Sequence, residues 1–249
     1  MALRTFKVYR GNDKAGELKE YQVNVEEGMV VLDVLHRIQA DQENDMAIRW
    51  NCKAGKCGSC SCEINGKPKL SCMTRMNSYG PDEVITVTPI KTFPVIKDLV
   101  TDVSWNYAQN KRIKPFQPDP KKKDERGYYM MQEDVERTQE FRKCIECFLC
   151  QNVCHVLRDH DRKDAFVGPR FMIRLASLEM HPLDIADRIP EVRKDYGSGY
   201  CNITRCCTDV CPEHIQITDN AIIPLKERVV DRYYDPIAWV ARKITGDKK

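Results

Sequence analysis

The stretch Cys144-Ile145-Glu146-Cys147-Phe148-Leu149-Cys150-Gln151-Asn152-Val153-Cys154 sets four thiols at gaps of two, two and three residues. Further along, Cys201-Asn202-Ile203-Thr204-Arg205-Cys206-Cys207-Thr208-Asp209-Val210-Cys211-Pro212 repeats that skeleton, with Thr204 where the second cysteine would stand. Working outward, the chain has 13 cysteines in 249 residues, about 5%. So many thiols must be paired, metal-bound or reactive, because packing alone does not call for them. The opening residues Met1 to Arg10 carry charges and lack the apolar core, roughly 7 to 15 residues long, of an export signal. The expected compartment is therefore reducing, where thiols bind metal rather than pair with one another.

A third clump lies earlier, in Arg49-Trp50-Asn51-Cys52-Lys53-Ala54-Gly55-Lys56-Cys57-Gly58-Ser59-Cys60-Ser61-Cys62, with Cys72 following. Cys52, Cys57, Cys60 and Cys72 reproduce the C-x4-C-x2-C…C spacing that holds a 2Fe-2S cluster in plant-type ferredoxins. Two irons need two thiolates each, so the ligand loop must wrap around the cluster rather than pinch one ion. Gly55 and Gly58 permit that wrapping and let backbone N–H groups approach sulfur. A structural zinc site would usually show two short Cys-x2-4-Cys knuckles, which this loop lacks. Cys62 alternates into a strand and reads as a buried small apolar residue.

In the later clumps, the first three cysteines of a C-x2-C-x2-C-x3-C run hold one corner of a cubane. The fourth cysteine ligates the other cluster of the pair. By that crossover Cys144, Cys147, Cys150 and Cys211 hold a 4Fe-4S cluster. Cys154, Cys201 and Cys207 supply only three thiolates to the second site, the signature of a 3Fe-4S cluster. Cys206 is left over beside Cys207, and a bent loop would let it complete a second 4Fe-4S cluster instead.

No cysteine lies between residues 72 and 144, and that gap marks a domain change. Before it, Phe6 and Val8, then Tyr21, Val23 and Val25, alternate with polar residues, and Val84 to Thr88 is rich in β-branched residues. Asn65-Gly66 predicts a tight hairpin turn. Val31, Leu35 and Ile38, widened by Leu32 and Val34, predict one helix on this small mixed sheet. After about residue 97 the apolar period turns helical, on Val100, Val103 and Tyr107, on Phe171, Leu175 and Leu178, and on Ile222, Leu225 and Val229. The expected class is α+β, with a 2Fe-2S ferredoxin-like domain over 1–105 and an α-helical domain over 106–249 carrying the 4Fe-4S and 3Fe-4S clusters. Lys111 to Gly127, with three prolines and net charge +4, reads as a solvated loop. The net charge of the whole chain is +3, far from the basic balance of a nucleic-acid-wrapping protein, so no nucleic-acid partner is expected. No apolar run approaches the roughly 18 to 20 residues that span a bilayer.

This order of domains resembles the iron-sulfur subunit of the succinate dehydrogenase and fumarate reductase family. The marks that carry it are Arg49-Trp50-x-Cys52, Cys57-Gly58-Ser59-Cys60, Asn65-Gly66-Lys67-Pro68-x-Leu70-x-Cys72, Cys144-Ile145-x-Cys147, Gly168-Pro169 and Cys211-Pro212. The resemblance implies a β-grasp ferredoxin domain followed by an all-α double-cluster domain. It also implies a chain that conducts electrons in respiration and the tricarboxylic acid cycle, with no catalytic residue of its own. FAD and dicarboxylate oxidation would belong to a flavoprotein partner. Quinone, menaquinone or ubiquinone, would bind beside the 3Fe-4S centre at the interface with membrane-anchor subunits, on the cytoplasmic side of the cytoplasmic membrane. Consistent with that division, no G-x-G-x-x-G follows a strand; the nearest pair, Gly197 and Gly199, reads as loop. Tyr233, Tyr234, Ile237, Trp239 and Val240 form a candidate docking face for the anchor, or pack on their own domain.

The chain departs from the family at the quinone side. His155 stands where proline is usual, Val156 to Asp161 has no tryptophan, and Asn202 replaces a common histidine. His155 and His160 are the candidate proton donors there, since histidine titrates in the right range. His36 and His181 read as structural. The competing readings are fumarate reductase or another flavoprotein oxidoreductase complex and, from a different class, a zinc-stabilised interaction module.

Overall fold

The computed structural model describes residues 2–245, apart from the side chains of Ala238, Trp239, Arg242 and Thr245. The chain divides into two compact units, Met1–Trp105 with Ile145–Val153, and Asn106–Cys144 with Cys154–Lys249. The nine residues around Cys147 and Cys150 thus cluster with the N-terminal unit, which a single cut at 105/106 does not anticipate.

In the first unit the alternating segments form β1 (Ala2–Gly11) and β2 (Gly16–Val25), paired antiparallel with Phe6 opposite Tyr21. α1 (Val31–Asp41) follows, then β3 (Ser61–Ile64), β4 (Lys67–Leu70) and β5 (Ile85–Thr88). The sheet order is β2-β1-β5-β3-β4, with β1 and β5 parallel. Its inward residues, Phe6, Val8, Tyr21, Val23, Ile64, Ile85 and Val87, pack with Val34, Leu35 and Ile38 of α1. Each such buried side chain contributes about 1.5–3 kcal/mol. The Asn65-Gly66 turn joins β3 to β4 with φ of 48° and 72°, and the Asn65 side chain accepts a hydrogen bond from Thr86 N–H at 2.7 Å.

The helical reading of Val100, Val103 and Tyr107 is corrected. Val100 lies in a short hairpin of β6 (Val95–Lys97) and β7 (Val100–Thr101), and only Tyr107, on the exposed side, lies in α2 (Ser104–Arg112). The reason is Asp98. This buried carboxylate accepts hydrogen bonds from Gly11 N–H at 2.9 Å and Ala47 N–H at 2.8 Å and pairs with Arg10 at 3.1 Å. Those remote partners hold residue 98 in a left-handed turn, φ 50°, which no helix tolerates.

The segment from 145 to 153 joins the first unit through polar side chains. On α4 (Leu149–Asn152), Asn152 Nδ2 donates to buried Glu63 Oε1 at 2.8 Å, and Asn152 Oδ1 accepts from Thr92 N–H at 3.2 Å. Ser61 Oγ donates to Cys147 O at 2.9 Å, and Phe148 packs with Ile90, Phe93 and Val103.

The second unit is helical. It holds α3 (Gln132–Arg142), α5 (His155–Arg158), α6 (Pro169–Glu179), α7 (Ile189–Lys194), α8 (Cys206–Asp209), α9 (Ile223–Tyr233) and α10 (Pro236–Thr245), with a π-helical stretch at Ile217–Ile222. Phe171, Leu175 and Leu178 of α6, with Ile222, Leu225 and Val229, are buried as their period requires. Buried Arg188 pairs with Asp184 at 2.9 Å and donates to the carbonyls of Lys114 and Pro115, which ties down the start of the proline-rich segment. Beyond that anchor Lys121, Lys122 and Lys123 are exposed, in a short 3-10 turn and a two-residue ladder with Gly127–Tyr128. On the candidate docking face Tyr233, Tyr234, Ile237 and Val240 are exposed, while the Trp239 side chain lies outside the described residues. Among the described residues no helix is long and apolar enough to cross a membrane.

Candidate functional site

The first cysteine loop leaves α1 and ends on the β3–β4 hairpin, all inside the first unit. Three positive φ values, at Lys53, Gly55 and Gly58, bend it back on itself. That curvature turns main-chain donors toward sulfur: Cys52 Sγ accepts from Lys56 N–H at 3.2 Å and Ala54 N–H at 3.4 Å, and Cys57 Sγ from Cys52 N–H at 3.5 Å. Burial opposes ionisation of Cys57, yet the N–H groups of Cys52 and Ser59 outweigh it and bring the thiol down to about 6. Such donors stabilise thiolates and suit an anionic iron-sulfur group. Cys60 and Cys72 are buried, held together by Ser71, whose N–H and Oγ both donate to Cys60 O at 3.1 Å. Burial, followed by the neighbouring Cys60, pushes the Cys72 thiol up to about 12. Gly58 is needed for space as well as conformation, since a Cβ there would lie 2.6 Å from Cys147 Cα. Under the loop His36 stacks edge-on to Trp50 at 4.8 Å.

Cys62 takes no part. It points from β3 into the apolar cluster, where burial pushes its thiol up.

The two later loops share one backbone. Positive φ occurs two and four residues after the leading cysteine in both, at Glu146 and Phe148 after Cys144, and at Ile203 and Arg205 after Cys201. A four-residue helix then starts at the same offset, α4 in one and α8 in the other. Alternation of right- and left-handed residues turns successive N–H groups to one side, a concavity suited to an anion. The structure places Cys147 and Cys150 in the first unit and Cys144 and Cys211 in the second.

Cys154, Cys201 and Cys207 come together in the second unit around a small cavity that is partly open to solvent. Thr204, Cys206, Phe166 and Ile222 are among the other residues of its wall. Burial pushes the Cys154 and Cys207 thiols each up to about 11, partly offset at Cys207 by the Thr218 hydroxyl. Three cysteines around one largely apolar cavity, Cys154 and Cys207 buried and Cys201 partly exposed, suit a cluster of several irons. Cys206 Sγ also lines this cavity and lies 3.3 Å from Thr204 Oγ1. Lys226 Nζ donates to Cys201 O at 2.8 Å and fixes the loop from α9.

Of the candidate proton donors, His155 lines the cavity and its Nε2 accepts from Asn202 Nδ2 at 3.0 Å. His160 is not among the lining residues; its ring stands 6.2 Å from that of His155. The cysteine spacing gave no sign of Thr218, which lines the cavity from the π-helical stretch.

A 2Fe-2S iron-sulfur cluster binding domain is matched over residues 5–107 and a 4Fe-4S dicluster domain over 140–215. A chain of the Mycobacterium smegmatis Sdh1 complex, solved in the apo form, is 63% identical, covers 95% of this chain and 99% of its own length, and superposes with a TM-score of 0.92. The fumarate reductase iron-sulfur subunit of Mycobacterium tuberculosis is 31% identical over 211 residues, 82% of each chain. The chain belongs to the succinate dehydrogenase/fumarate reductase iron-sulfur subunit family. A further member, the succinate dehydrogenase iron-sulfur subunit of Paracoccus denitrificans, is 27% identical over 239 residues, 92% of this chain and 89% of its own. Some relatives are much longer: the chain spans 43% of the length of an uncharacterized iron-sulfur protein from Methanococcus maripaludis. As a family member the chain carries cluster-binding domains of both kinds, 2Fe-2S and 4Fe-4S, in the fold class read from its sequence.

Proposed function

We propose that the chain is the electron-transfer subunit of a membrane-bound succinate:quinone oxidoreductase. Cys52, Cys57, Cys60 and Cys72 would hold a 2Fe-2S cluster, Cys144, Cys147, Cys150 and Cys211 a 4Fe-4S cluster, and Cys154, Cys201 and Cys207 a 3Fe-4S cluster. When bound, these clusters supply one-electron steps between a flavin that takes two electrons from succinate and a quinone. The protein's own part is to hold thiolates, to donate N–H groups to sulfur at Cys52 and Cys57, and to keep Cys60, Cys72, Cys154 and Cys207 from water. The observation that carries the reading is the shared backbone of the two later loops, with Thr204 at the offset of Cys147. One loop then offers a cysteine that the other lacks.

The flavoprotein and anchor partners belong to the same proposal, as do peripheral attachment on the cytoplasmic side and quinone at the anchor interface. Of the two candidate proton donors His155, which lines the cavity, is the one we favour. Physiological fumarate reduction is the second reading, favoured by the Mycobacterium tuberculosis relative that bears that name.

Purification of the intact complex from its native membrane tests the proposal. Flavin should co-purify, and succinate should bleach the visible absorption of the iron-sulfur centres. A preparation without flavoprotein, or one that succinate leaves unchanged, contradicts it. Full quinone turnover in both His155→Ala and His160→Ala variants would remove the proton-donor role.

A further inference from the structure

Behind Cys207 lies a pair of threonines, Thr218 buried and Thr208 partly so, that no ligand motif requires. Thr218 Oγ1 is 3.6 Å from Cys207 Sγ, and both residues are almost wholly buried. Thr208 Oγ1 donates to Thr218 Oγ1 at 3.0 Å and itself accepts from Thr218 N–H at 3.0 Å. A hydroxyl has a single hydrogen. The hydrogen of Thr208 is directed to Thr218 Oγ1, and the latter's own hydrogen is thereby free to point at Cys207. A metal-bound cysteine is a thiolate without a hydrogen, so in the loaded protein the hydroxyl must be the donor. Thr218 sits where the backbone departs from α-helical geometry, on the π-helical stretch Ile217–Ile222, and such segments are frequent at functional sites.

We propose that the Thr208–Thr218 hydroxyl relay raises the reduction potential of the cluster held by Cys154, Cys201 and Cys207, through a hydrogen bond to the Cys207 thiolate. The inference rests on the ligand assignment of the preceding section. A donor to the thiolate stabilises the reduced cluster, which carries the extra electron, more than the oxidised one, and hydrogen bonds to sulfur are among the determinants of cluster potential. Burial of Thr218 and Cys207 strengthens the effect by lowering the local dielectric. Thr218 is therefore a positioning residue that acts through Cys207 and touches no substrate.

The test is a redox titration of the purified intact complex, followed by low-temperature EPR of the oxidised three-iron signal, with the other two clusters as internal references. Thr218→Val should lower the midpoint, by about tenfold in the reduction equilibrium or about 59 mV for a one-electron couple. Thr218→Ser, which keeps the donor, should titrate like wild type. Thr208→Val, which leaves Thr218 in place but removes its orienting partner, should shift in the same direction by less. An unshifted midpoint in Thr218→Val, or a Ser variant displaced as far as Val, overturns the proposal. Should Thr218→Val fail to assemble, Thr208→Val decides, and an unchanged midpoint there has the same consequence. A wild-type complex without a three-iron signal overturns the ligand assignment and this inference with it. The signal present but unmoved by Thr218→Val overturns the inference alone.

Discussion

The loops that begin at Cys144 and Cys201 follow the same backbone but are anchored by different chemistry. The first is fastened through Ser61, Thr92 and Glu63, whose partners are Cys147 O and Asn152, and it presses on Gly58. The second borders a cavity and is fastened by Lys226 and the Asn202–His155 pair. Matching backbone with cysteines at different offsets means that loop conformation alone does not specify the ligands. On the proposed assignment the side chain at one offset, Cys147 in one loop and Thr204 in the other, makes that choice.

The largest expected effect breaks that comparison by erasing the difference. Thr204→Cys should turn the three-iron site into a four-iron site, with loss of the oxidised three-iron EPR signal and a gain of about one iron per chain. Survival of the signal would show that Thr204 is not the missing corner, and would turn attention to Cys206, already in the cavity wall.

How much of this was legible in the sequence follows from the range of the interactions involved. Alternation in β1 and β2, the Asn65-Gly66 turn and the stripe of α1 are local patterns, and all three appear in the structure. The cysteine loops were legible because cysteine spacing is itself local. The attachment of residues 145–153 to the first unit was not, since it depends on single polar side chains such as Glu63 and Asn152, far apart in the chain. Val100 misled for the same reason: its apolar spacing fits a helix, but Asp98 gathers N–H groups from Gly11 and Ala47. Thr218 was hidden because a π-helical turn has no sequence pattern of its own.

The next effect sharpens the account of how the Cys144 loop is held. Gly58→Val should leave the complex deficient in both the 2Fe-2S and the 4Fe-4S signals, because its Cβ collides with Cys147 Cα and its φ of 68° strains any side chain. The conformational cost alone is about 1–2 kcal/mol. Normal signals from both would show that the close approach at Gly58 is dispensable.

A smaller loss is expected from Asn152→Ala, which takes an amide donor from the buried Glu63 carboxylate. A hydrogen bond to a charged group contributes about 1.5–3 kcal/mol. The variant should melt about 4–8 °C below wild type in calorimetry. No change in melting would mean that Lys91, 3.2 Å from Glu63, is sufficient by itself.

The smallest effect lies outside both loops and serves as their control. Burial, followed by nearby Lys53, holds the His36 imidazole below its usual pKa. A group whose folded pKa is lowered binds its proton more readily when unfolded, so its contribution is present above the unfolded value, about 6.5, and is lost as pH falls below that. His36→Leu should therefore narrow the difference in melting temperature between pH 7.5 and pH 5.5. An unchanged difference would show that His36 does not titrate with unfolding.

Metal and sulfide analysis of the native complex, read together with low-temperature EPR of the oxidised sample, tests the central claim most directly. The account predicts iron and acid-labile sulfide for one two-iron, one four-iron and one three-iron cluster per chain, with a three-iron signal in the oxidised state. A colourless protein with zinc on these cysteines and no labile sulfide would contradict it.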